Sequence, residues 1–191
     1  MVLVAEPREP SVVLGSTTAR EAFDLERLCA GGLRVVSRGS GGGAVVVAPG
    51  AQLWLHVFLP AHDARFDRHL GRSFVWLGER VAAALTGLGL QGVELVRERV
   101  EPAPLARLVC FAGWGWGEVA IGGRKVAGLA QRRRRDGAMF QLAVLVENHQ
   151  DVLIDALRAP VPGSLLAEGL ARWGVERAAL REAVLAAILD S

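Results

Sequence analysis

Gly122-Gly123-Arg124-Lys125-Val126-Ala127-Gly128-Leu129-Ala130-Gln131 decides how this chain is read. A short apolar run leaving a Gly-Gly pair reads as a strand that starts at a tight turn. It also holds Lys125, the single lysine among 22 basic residues; the rest are arginines. Tyrosine is absent, Asn148 is the one asparagine, and isoleucine occurs only at Ile121, Ile154 and Ile188. All four types have codons poor in G and C, so the composition points to a GC-rich genome that replaced them wherever replacement was harmless. A lysine kept under that pressure is either a chance survivor or the mark of a place where a guanidinium does not serve, and its glycine-flanked strand edge favours the second. An ammonium is compact, approaches one oxygen or sulfur closely and can lose its proton, whereas a guanidinium is planar and stays charged.

Working outward, the strand belongs to a meander. Glu118 to Ile121, Lys125 to Gln131 and Met139 to Val146 read as three strands joined by the Gly122-Gly123 and Asp136-Gly137 turns. Leu108 to Phe111 reads as a further strand before them. Upstream, Ser11 to Leu14, Leu33 to Val36 and Ala44 to Val47 read as short strands. In 52–59, Leu53, Leu55, Val57 and Leu59 alternate with Gln52, Trp54, His56 and Phe58, the period of a strand with one buried face. Helical spacing predicts a helix over Ala19 to Cys29, a long one over Phe66 to Leu88, and helical structure from Asp151, broken at Pro160 to Gly163 and ending in an amphipathic helix over Glu176 to Leu189. The expectation is an α+β fold with a mixed, mostly antiparallel central sheet and helices packed on it, one domain over residues 1–191.

Composition excludes several functions. Half of the 191 residues are apolar and the formal net charge is only +2. No run approaches the roughly 18 uncharged apolar residues of a membrane span, and Met1 to Pro10 does not resemble a secretory signal, so cytoplasm is expected. Cys29 and Cys110 are too few for a disulfide framework. The four histidines show no metal-ligand spacing, and no metal is expected.

Three segments can carry chemistry. Arg38-Gly39-Ser40-Gly41-Gly42-Gly43-Ala44-Val45 places three consecutive glycines between two strands, a costly choice unless close approach or positive φ is required. Such a loop can wrap an extended ligand, with backbone N–H groups and the Arg38 fork for a phosphate or carbonyl. Cys110-Phe111-Ala112-Gly113-Trp114-Gly115-Trp116-Gly117-Glu118 puts a cysteine ahead of a Gly/Trp loop, whose indoles can wall a pocket; the alternative is a buried core thiol. Arg132 to Arg135 invites a nucleic-acid reading, but no aromatic platforms are interleaved and the turn is short, so a solvated hairpin meeting an acidic protein partner is the more economical account.

Together these segments resemble the lipoate/octanoate attachment family, related to the biotin-protein ligases. Arg38 to Val45 is similar to the family's Arg-x-x-Gly-Gly-Gly-x-Val loop. Gly123 to Gln131 resembles its Gly-Arg-Lys-Val-Ala-Gly-Ser-Ala-Gln strand. Val109-Cys110-Phe111, with Trp116 and Glu118 downstream, resembles the cysteine-dependent octanoyltransferase branch, and the spacing from Cys110 to Lys125 agrees with that branch.

The resemblance implies a biotin/lipoate ligase-like catalytic fold and an enzyme. Cys110 and Lys125 would be catalytic. Arg38, Gly41, Gly42, Gly43, Ala44, Trp114, Trp116, Gly128, Leu129 and Ala130 would bind substrate, with an oxyanion site expected at the amides of Gly128 and Leu129. The substrate would be an octanoyl or lipoyl group, the partners acyl carrier protein and lipoyl domains. The transferase route needs no cofactor. The runner-up is an ATP-dependent ligase, using ATP and Mg2+ and working with a separate accessory subunit; a non-catalytic acyl or lipoyl binder is third. Departures are Leu142-Ala143 where the family shows His-Gly, the missing Asn-Asp pair near Gly117-Glu118, and no room for a C-terminal accessory domain.

Overall fold

The computed structural model describes residues 1–98 and 100–190. In chain order the elements are β1 (Val2–Ala5), β2 (Ser11–Leu14), α1 (Leu25–Ala30), β3 (Arg34–Ser37), β4 (Val45–Val47), β5 (Gln52–Pro60) and α2 (Val75–Gly87). They continue as β6 (Val93–Leu95), α3 (Pro104–Leu108), β7 (Val119–Ile121), β8 (Arg124–Arg134), β9 (Gly137–Leu145), α4 (Asp151–Asp155) and α5 (Arg177–Leu189).

The alternation of β5 sets the layers. Leu53, Leu55, Val57 and Leu59 are buried in one core with α2 and α5, whose Leu77, Val81 and Leu85, and Leu180, Val184 and Ile188, recur at helical spacing. β5 lies inside an antiparallel six-stranded sheet ordered β1-β5-β9-β8-β7-β6, so the meander of the sequence reading forms β7-β8-β9. The opposite face carries Trp54 and His56, opposite Ala143 and Gln141 of β9. A second sheet, β3-β2-β4, covers part of that face: Val13, Val45 and Val47 meet Phe111 and Leu145 there. Val12, Leu14 and Val46 turn the other way, into a core with Phe23, Leu28, Leu105 and Leu153. The mixed and antiparallel sheets with packed helices are as expected.

Four sequence expectations change. Leu108 to Phe111 is no strand: Pro104 opens α3, where its missing N–H costs nothing, and Cys110–Ala112 is a 3-10 turn. The helix expected over Phe66 to Leu88 begins only at Val75, because Asp63 and Asp67 accept the backbone N–H groups of Arg65 and His69 and hold local turns. The helix over Ala19 to Cys29 shrinks to α1, which Asp24 caps through the Arg27 N–H at 3.0 Å. Helical structure after Asp151 is likewise confined to α4, a short 3-10 turn and α5.

Candidate functional site

Lys125 stands one residue before an irregularity in β8. Val119 of β7 pairs with Ala127 and Ala120 pairs with Lys125, which leaves Val126 as an extra residue. Even alternation would place Lys125 with Ala127, whose side chain belongs to the helix-side core; the bulge re-aims it to the opposite face. There it lies wholly buried, with its ammonium 5.0 Å from the centre of the Phe111 ring. Nζ donates to the Cys110 carbonyl at 2.7 Å and the Gly113 carbonyl at 3.1 Å, and pairs with Glu118 Oε1 at 2.6 Å. Three acceptors match the three protons of an ammonium. The Lys125 backbone is held as firmly, through Leu166 O at 2.7 Å and the Glu168 N–H at 3.0 Å.

Glu118 ties the segment from Cys110 together. Its carboxylate accepts the Gly115 N–H at 2.6 Å and the Leu129 N–H. Burial pushes its carboxyl above the usual range, while Lys125 and the two amides pull it back. The Leu129 amide, expected to face a substrate oxyanion, is therefore engaged by this carboxylate.

The triple-glycine loop folds around Arg38. Its NH2 group donates to the carbonyls of Gly41 and Gly43, each at 3.0 Å, and NH1 donates to Val13 O at 3.3 Å. The loop thus offers carbonyls to its own arginine, where N–H groups toward a ligand were expected. Gly42 has φ of 100°, and a Cβ on Gly43 would lie 2.8 Å from Leu108 O and from Cys110 N. That close approach lets Ala44 O accept the Cys110 N–H at 2.8 Å. The glycines position the cysteine.

Cys110, half-buried, opens onto a narrow cleft of about 30 Å³, room for a water or two. Across it stand Arg38, Val45 and Trp54, and its remaining walls come from Phe111, Gly128, Leu129, Ala130, Gln141 and Ala143. Arg38, Trp54 and Gln141 also face a wider recess of about 430 Å³, bounded by residues 5–9 and by β2 and β3. Burial pushes the Arg38 guanidinium down, and the charge of Cys110 opposes that shift.

The structure therefore gathers Arg38, Cys110, Gly128, Leu129 and Ala130 at one cleft, with Lys125 behind the Cys110 carbonyl and Gly41, Gly42, Gly43 and Ala44 behind Arg38. Trp114 and Trp116 are not in its lining; Trp116 packs edge-on against His69 at 5.7 Å, and the indole at the cleft is Trp54. Leu142 is buried in the helix-side core, while Ala143 faces the cleft. Sequence reading missed Trp54 and Gln141 as site residues, although both sit at alternating positions on the face away from the leucines. Of the four arginines, Arg133 is structural: it bonds Gln131 and the carbonyls of Asp67 and Arg68. Among the described residues, no three His, Cys, Asp or Glu side chains gather as a metal site, and no helix is long and apolar enough to cross a membrane.

The family described as the lipoyl protein ligase A/B catalytic domain matches residues 1–171, and the chain belongs to it. The octanoyltransferase LipM of Carboxydothermus hydrogenoformans is 27% identical over 150 residues, which is 78% of this chain and 54% of that protein. The chain thus spans about half the length of that curated relative. Among solved structures, lipoate-protein ligase A bound with ATP superposes with a TM-score of 0.78 at 22% identity, over 99% of this chain and 71% of that one. A putative lipoate protein ligase from T. acidophilum with bound lipoic acid gives 0.75 at 20% identity, over 99% and 71%. At these identities the superpositions speak to the fold.

Proposed function

We propose that the chain transfers octanoyl or lipoyl groups to a lysine of a lipoyl domain through a thioester on Cys110. The observation that carries this reading is a thiol opening onto an apolar cleft, with a guanidinium across it and its loop fastened from behind by Lys125 and Glu118. The thiolate is the nucleophile. Its sulfur attacks the carbonyl carbon of an acyl thioester, a new C–S bond forms, the donor's C–S bond breaks, and the donor thiol leaves with the proton that Cys110 gave up. The amine of the acceptor lysine then attacks the same carbon, the amide forms, and the Cys110 sulfur departs and recovers the proton shed by the amine.

An eight-carbon chain needs several times the volume of the cleft, so it extends past Trp54 and Gln141 into the recess. Each methylene buried there contributes about 0.8 kcal/mol. Acidic carrier and lipoyl domains meet the exposed Arg132, Arg134 and Arg135 at the hairpin end of β8. Lys125 supplies charge and holds the Cys110 carbonyl; to carry a proton it must first release one of its three acceptors.

An adenylating route fits the residues less well. The carboxylate nearest the family's Asn-Asp position is Glu118, and it is bonded to Lys125 and two amides rather than offered to Mg2+. Mixing the protein with octanoyl-pantetheine and measuring intact mass tests the reading. An octanoyl adduct on the wild type that is missing in Cys110→Ser supports it; an adduct that persists in Cys110→Ser overturns it.

A further inference from the structure

The Arg38 side chain carries five N–H groups on three nitrogens, and their assignment is uneven. NH1 and NH2 are turned to the backbone carbonyls of Val13, Gly41 and Gly43. Nε is fully buried, and among the described residues it has no hydrogen-bond partner. A buried donor left unpaired is costly, so an orphan in a native fold calls for an explanation. This one belongs to a side chain on the wall of the Cys110 cleft, close enough to feel the charge of that cysteine. Of the two amides that sequence reasoning assigned to an oxyanion, those of Gly128 and Leu129, the second already binds Glu118. Gln141 stands on the same wall, its Oε1 accepting a hydrogen bond from Ser40; that bond leaves the amide nitrogen of Gln141 as a second donor.

We propose that Arg38 Nε–H is the oxyanion donor of this site, binding the carbonyl oxygen of an acyl group whose carbon is attached to, or attacked by, Cys110 Sγ. The inference rests on the thioester reading above. When sulfur adds to the carbonyl carbon, the C=O π pair moves onto oxygen; Nε–H hydrogen-bonds that oxygen without giving up its proton, and the pair returns as the leaving thiol departs. Binding the guanidinium by its terminal nitrogens to Val13, Gly41 and Gly43 fixes its plane, and with it the direction of Nε–H, in advance, which is what makes such a donor effective. Arg38 thus has two jobs: its outer nitrogens build the loop, and its inner one serves the reaction.

The test uses the full chain labelled with 15N-arginine, following the Nε–H resonances, with Arg38→Lys identifying the Arg38 signal. Octanal is the probe: its aldehyde carbon accepts the Cys110 sulfur, and its oxygen takes the thiol proton, giving a tetrahedral hemithioacetal with no need for transfer activity. The Arg38 Nε–H signal moves downfield on adding octanal to the wild type and stays put in Cys110→Ala. In a parallel assay Arg38→Lys, checked for an intact fold by circular dichroism, loses about 100-fold in acylation rate with octanoyl-pantetheine while its KM changes little. An Nε–H signal that does not move, whether octanal adds to Cys110 or fails to bind, overturns the proposal. Acylation of the wild type without that movement leaves the thioester reading standing and removes Arg38 alone; movement with octanal and no acylation does the reverse.

Discussion

At the scale of the residue, the informative signal was a single ammonium in a chain of guanidiniums. Its environment gives the physical reason: three acceptors converge on one point, 2.6 to 3.1 Å from Nζ, and a planar fork does not fill that geometry. Lys125→Met would leave Glu118 buried without its counter-ion, at a cost of about 3–5 kcal/mol. Urea unfolding measures this, and Glu118→Gln combined with Lys125→Met should recover part of the loss. Protonation of Glu118 gives a second prediction. Burial raises its carboxyl, so the folded chain binds that proton more tightly than the unfolded one; the group's contribution to stability is largest at acid pH and fades as pH rises through the raised value. The stability of the wild type minus that of Glu118→Gln should therefore fall as pH rises above the ordinary glutamate value of about 4; a difference that rises with pH would mean that Lys125 and the amides outweigh burial. The lysine could be singled out from the sequence alone. Its bond to the Cys110 carbonyl could not, because that depends on an extra residue at Val126 that no hydrophobic period signals.

At the scale of the element, the sequence was legible where one face is buried and the other is not. Leu53 to Leu59 and the β7-β8-β9 meander declared themselves through period and turn chemistry. Leu108 to Phe111 misled because a short apolar run does not distinguish a strand from a helix end followed by a 3-10 turn. Phe66 to Leu88 misled because the aspartates at 63 and 67 compete for backbone N–H groups that a helix would use. The glycine loop was legible as a costly choice, but its purpose was not: Gly43 exists so that the backbone of Leu108 to Cys110 can lie against it. Gly43→Ala places a methyl 2.8 Å from Leu108 O and Cys110 N, and overpacking of that kind costs about 1–3 kcal/mol. We expect a lower melting temperature, read by calorimetry, together with a loss of acylation rate larger than the melting shift accounts for, since the displaced backbone is that of the nucleophile.

At the scale of the whole molecule, the second sheet packs on part of the six-stranded sheet beside a narrow cleft, and residues far apart in sequence reach it: Arg38 from the glycine loop after β3, Trp54 from β5, Cys110 after α3, Gly128 from β8 and Gln141 from β9. Family membership and fold class were readable because two motifs carry them. The cleft's indole was not, since Trp54 lies in no motif and only the packing of the second sheet brings it there. In the proposed route an acyl group resides on Cys110 between donor and acceptor. To follow it, the protein is loaded with labelled octanoyl-pantetheine, free donor is removed, a lipoyl domain is added and both masses are read over time. The label should leave Cys110 as the acceptor lysine gains it, mole for mole; label that reaches the acceptor from a Cys110→Ala protein, or that stays on Cys110 while the acceptor remains unmodified, rules out a Cys110 intermediate.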